Sequence, residues 1–78
     1  LRSLRDNSPA LSYYFAAMRP LSQRKYKQAY DLLKVAVELD PDGSRPFVGL
    51  GDACLKRELW TEAYDAYRRG LELQIGDE

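Results

Sequence analysis

Seventy-eight residues, with 12 Lys plus Arg against 12 Asp plus Glu and no histidine, bound this chain to one small domain of zero net charge. Neutrality leaves no long-range field to draw in nucleic acid or an anionic membrane. A single cysteine, Cys54, without any histidine removes disulfide frameworks, the usual structural zinc sets and Cys/His or Ser/His catalytic pairs.

No apolar run approaches the ~20 residues a membrane-spanning helix needs, and the N-terminus has no signal-peptide core. A chain that opens on Leu1 reads as a piece of a longer protein. Its lone thiol points to a reducing, intracellular and cytoplasmic setting. A core this small is thin, because a domain of about 60 residues buries only roughly 60% of its unfolded surface.

In chain order, a flank over 1–8 ends at Ser8-Pro9, an N-cap followed by proline in a first turn. The first helix is expected over 9–19, stopping before Pro20, whose missing N–H and ring oppose continuation. Ser22 then becomes the cap of a second helix over 23–39, where Tyr26, Ala29, Tyr30, Leu33, Ala36 and Val37 recur at steps of three and four. Asp40-Pro41-Asp42-Gly43-Ser44 is a turn. A third helix follows over 45–57 and a fourth over 61–74, with Trp60, Ala63, Tyr64, Tyr67 and Leu71 in helical spacing and Gly76 near the end. Strand alternation is absent, so the class is all-α.

Offset by 34 residues (63 − 29), the chain pairs Ala29 with Ala63, Tyr30 with Tyr64, Asp31 with Asp65, Glu38 with Glu72 and Leu39 with Leu73. The same offset pairs Tyr26 with Trp60, Tyr13 with Phe47, and Leu21 with Leu55. One helix-turn-helix unit therefore occurs twice, at 9–42 and 43–76.

This pattern resembles the tetratricopeptide repeat, whose unit of about 34 residues carries an aromatic, Leu-Gly and a second aromatic, then Ala, an aromatic and a closing Pro. The second unit reads Phe47-x-x-Leu50-Gly51-x-x-Cys54, then Trp60-x-x-Ala63-x-x-x-Tyr67-x-x-Gly70, with Ile75 in place of the proline. The first unit fits through Tyr13, Ala16 and Ala17, then Tyr26, Ala29, Leu33, Ala36 and Pro41, although Pro20 stands where the family has an aromatic. The resemblance implies antiparallel hairpins stacked as a short right-handed superhelix. It implies no catalysis and no cofactor or metal, only a scaffold that takes a partner peptide or helix on its concave side. That side would be lined by Leu11, Tyr14, Phe15 and Met18 of the first helix and by Arg45, Val48, Gly49, Asp52 and Lys56 of the third. A Lys/Asn clamp for chaperone tails does not fit, since Tyr14, Met18 and Gly49 occupy its positions and Arg45 alone matches.

The residues themselves add narrower expectations. Ala16, Ala17, Ala29, Gly51 and Ala63 should mark close helix approaches. Trp60, Tyr64 and Tyr67 are read as core, and Cys54 as a small buried hydrophobe. Asp40-Pro41-Asp42-Gly43 lacks a third acidic position and the distal Glu of a calcium loop. Arg24, Lys25, Lys27, Arg68 and Arg69 are short solvated stretches offset by acids. Two other roles stay open: self-association through an uncovered end face bearing Tyr64, Leu71 and Ile75, or recruitment of substrate for a larger enzyme.

Overall fold

The computed structural model describes residues 9–76 as four helices: α1 Pro9–Ser22, α2 Tyr26–Leu39, α3 Ser44–Lys56 and α4 Trp60–Gly76. No strand occurs among the described residues. α1 packs along α2 and α3 along α4, each pair closing a hairpin, while α2 against α3 joins the hairpins and α1 touches α3. The class is all-α, as the helical spacing predicts.

Small residues make these crossings close. Ala17, Ala29, Leu33, Ala36, Leu50, Ala53, Cys54, Ala63 and Ala66 are buried, and alanine lets two backbones approach where a larger side chain would hold them apart. Two glycines do the same between α3 and α4. A Cβ built on Gly51 would sit 2.8 Å from the Tyr67 ring, and one on Gly70 would sit 2.8 Å from Val48 Cγ2. Around this core Tyr14, Met18, Leu21, Tyr30, Val37, Leu59 and Tyr67 pack as half-buried walls.

Each hairpin turns in the same way. Arg24 and Glu58 both adopt the left-handed conformation, at φ 64° and 61°, and they stand 34 apart (58 − 24). Lys25 N–H donates to the Pro20 carbonyl at 2.8 Å, and Leu59 N–H to the Cys54 carbonyl at 2.9 Å. Arg24 N–H reaches Leu21 O and Glu58 N–H reaches Leu55 O, at 3.2 and 3.1 Å. This pair of bonds is the Schellman closure, in which a residue just past the helix takes αL and two orphan carbonyls are satisfied. Leu59 then packs on the core from the position just after the turn.

That closure explains three departures from the sequence reading. Pro20 does not end α1 but lies inside its last turn, buried. The carbonyl that loses a donor to proline belongs to Ala16, which is exposed and open to water, while Pro20's own carbonyl anchors the turn. Ser22 caps nothing in α2; its hydroxyl donates back to the Arg19 carbonyl at 2.9 Å, and α2 starts after Lys25, without a side-chain cap. Exposed Ala16 marks no helix crossing, because Ala17, one residue and about 100° further round, faces the neighbour instead.

The remaining repeat positions divide by neighbour. Gly51 and Gly70 are buried, Tyr26, Phe47 and Tyr67 half-buried, and Tyr13 and Pro41 exposed. Trp60 and Tyr64, expected in the core, are 60% and 63% exposed. They lie on the outer face of α4, against which no described helix packs. Between the hairpins the Asp40 carboxylate accepts the Asp42 N–H at 3.3 Å, and the Asp40 carbonyl accepts Gly43 N–H at 3.2 Å, so the DPDG stretch is a side-chain-stabilised turn. The Ser8 cap and the rest of the flank over 1–8 lie outside the described residues.

Candidate partner-binding surface

The side attributed to partners is built where α1 lies against α3. A Cβ placed on Gly49 would stand 3.0 Å from Leu33 Cδ2 and 3.2 Å from Tyr14 Cε1, so this glycine is what lets Tyr14 seat against α3. Tyr14 in turn holds Phe15, whose ring meets it edge-on with centroids 5.3 Å apart. Phe15 is 57% exposed, whereas Tyr14 and Met18 pack against the core. Leu11 is half-buried.

On α3, Arg45, Val48, Asp52 and Lys56 are all exposed, and their spacing of three or four residues keeps them in one band. The band is not independent of α4. Val48 leans on Gly70, and Asp52 accepts a hydrogen bond from the Tyr67 hydroxyl. Burial and that bond push Tyr67 up to about 12, since the carboxylate and the thin solvation both disfavour a phenolate. Lys56 belongs to a different neighbourhood at the end of α3, beside Arg24, Lys25 and Lys27. Phe15, Arg45, Val48 and Asp52 are thus the exposed members of the predicted set near the α1–α3 and α3–α4 seams.

Two further surfaces stand apart from this side. Trp60, Tyr64, Leu71 and Ile75 are each more than half exposed and fall within about a 60° arc of α4 at 100° per residue. Tyr64, Leu71 and Ile75 are the end face that the sequence offers for self-association, and Trp60, read as core, joins them. The second is the basic neighbourhood of Lys56, which joins cations from two stretches of the chain, 24–27 and 56–57, that sequence separates, and this one the sequence reading did not identify as a site.

Burial shifts two interior groups. Cys54 is fully buried, and burial pushes its thiol up, away from the thiolate a nucleophile needs. Tyr30 is also pushed up, by burial and then by donating its hydroxyl to Glu62 at 2.9 Å, a bond that ties α2 to the first turn of α4. Among the described residues no helix is long and apolar enough to cross a membrane, and no group of three or more acidic or cysteine side chains could hold a metal ion. No protein-family model and no curated protein sequence matches the chain.

Proposed function

We propose that this chain is a non-catalytic protein-interaction scaffold of the tetratricopeptide type, with two hairpin repeats at 9–42 and 43–76. A partner peptide or helix lies along α1 and α3. The observation that carries the reading is Phe15, a large apolar side chain 57% exposed yet held in place by Tyr14 at the α1–α3 seam. A large aromatic presented to solvent and braced by a second ring is the usual make-up of a partner anchor. The 34-residue recurrence of the turn supports the repeat reading, and a buried free thiol suits a reducing intracellular compartment.

The test is partner capture by the full-length protein, comparing the parent with Phe15→Ala. Tyr14 and Met18 are left intact because they pack on the core. Loss of a captured partner, with the helical circular dichroism unchanged, is the expected result. Retention of every partner would overturn the assignment of this side.

The exposed α4 stripe favours a second reading, in which the chain self-associates or stacks against a further helix of a larger protein. Burying such a stripe removes large apolar side chains from water at about 25 cal/mol per Å². Sedimentation across a concentration series tests the self-association branch: a dimer lost in Leu71→Lys supports it, and a monomer throughout excludes it and leaves stacking within a larger protein. Service as a substrate-recruiting part of a larger enzyme is compatible with either surface.

A further inference from the structure

We propose that a basic cleft at the turn end of the molecule is a second binding site, selective for an acidic peptide segment. It is a shallow depression of about 700 Å³, broadly open to solvent. Arg24 and Lys25 of the α1–α2 turn, Lys27 at the start of α2, and Lys56 and Arg57 at the end of α3 converge on it, with Asp31 as its one carboxylate. Five cations against one acid leave a local charge of +4 (5 − 1) on a chain whose total is zero. The fold, and not the composition, makes this patch.

The single carboxylate is already engaged, because Lys27 Nζ donates to both Asp31 oxygens at 3.0 and 3.2 Å. Arg24, Lys25, Lys56 and Arg57 form no ion pair among the described residues. Arg57 is set in place by the Tyr30 ring, over which its guanidinium lies at 4.9 Å; stacking on a ring face leaves the N–H edges of the fork available for a carboxylate. Tyr26 supplies a half-buried aromatic wall.

An acidic peptide fits this arrangement better than nucleic acid does. The cations are gathered around one compact cleft, whereas a phosphate backbone is followed by cations spread along a track. The other exposed pair, Arg68 and Arg69, is on α4 and faces Glu72 at 3.6 and 3.7 Å. The site does not depend on the α1–α3 reading, with which it shares only Lys56.

The experiment is fluorescence polarisation of a labelled Glu/Asp hexapeptide, blocked at both ends, with the full-length chain at about 50 mM ionic strength, where charges roughly 10 Å apart remain coupled. Saturable binding is expected, weakened at least about tenfold by Lys25→Glu/Lys56→Glu. Arg68→Glu/Arg69→Glu, which changes net charge by the same amount elsewhere, should leave it within about twofold. Because Lys25 and Lys56 are exposed, the fold should persist. Should the reversed pair lose its helical signal, Lys25→Gln/Lys56→Gln replaces it, with a smaller loss in the same direction. Absence of binding, equal weakening by both double variants, or tighter binding of a single-stranded oligonucleotide than of the peptide would each overturn the proposal.

Discussion

The two hairpins share a turn and differ in what surrounds them. In the first, α2 is enclosed by α1 on one side and α3 on the other, and its Tyr26, Tyr30 and Val37 are half-buried. In the second, α4 has α3 alone as a packing helix, and the equivalent Trp60, Tyr64 and Leu71 are 55–63% exposed. Nearly the same apolar face is core in one copy and surface in the other. Helical periodicity therefore identifies a face that packs, while the number of neighbours decides whether it is covered.

The sharpest way to break this comparison is truncation of one leucine in each hairpin. Leu33→Ala removes a side chain with no exposure and should cost about 2–5 kcal/mol, enough to unfold much of so small a domain. Leu71→Ala, at 55% exposure, should cost a small fraction of that. Chemical denaturation of the two variants checks it, and equal losses would mean that α4 is covered in solution. Next in size is Ala63→Leu at the α3–α4 crossing, where 3% exposure leaves no room and overpacking should cost about 1–3 kcal/mol. A variant melting with the parent would show that the crossing is looser than the buried alanine implies.

A pH series sharpens the comparison with a smaller effect. Tyr67 is raised from 10.0 to about 12 in the folded chain, so folding favours its protonated form. That contribution is complete below pH 10 and is lost as pH rises towards 12. The melting temperature should fall across this window, and Tyr67→Phe should make the fall shallower by removing one of the titrating groups. Tyr30, raised in the first hairpin by burial and Glu62, accounts for part of the remainder. An unchanged slope in Tyr67→Phe would contradict a Tyr67 hydroxyl raised by burial and the Asp52 bond.

Local signals carried much of the fold. Apolar steps of three and four pointed to α2 and α4, turn residues bounded the other two helices, and the 34-residue offset pairs the positions of the two left-handed turn residues, because all of these depend on spacing along one chain. Pro20 was misread because proline's effect depends on position: in a last turn it leaves one exposed carbonyl to water, and the penalty that stops a helix interior does not apply. Arg24 and Glu58 carry no glycine to announce their left-handed geometry. Trp60 and Tyr64 looked like core because their pattern is that of core. Of the surface, the resemblance pointed to Phe15, Arg45, Val48 and Asp52, and all four are exposed. The basic cleft was not legible, since Lys25 and Lys56 are 31 residues apart (56 − 25) and meet only through the α2–α3 packing.

The central claim is that one hairpin is built twice, and the turn residues test it most directly. Arg24→Gly and Glu58→Gly each relieve a left-handed conformation that L side chains resist, against the added chain entropy of glycine, for a net gain of roughly 0.5–1 kcal/mol. Thermal melts of both single variants and the double should show two similar stabilisations that add, as expected for separate sites with no shared partner. Destabilisation by either glycine, or a gain at one turn and none at the other, would contradict the account.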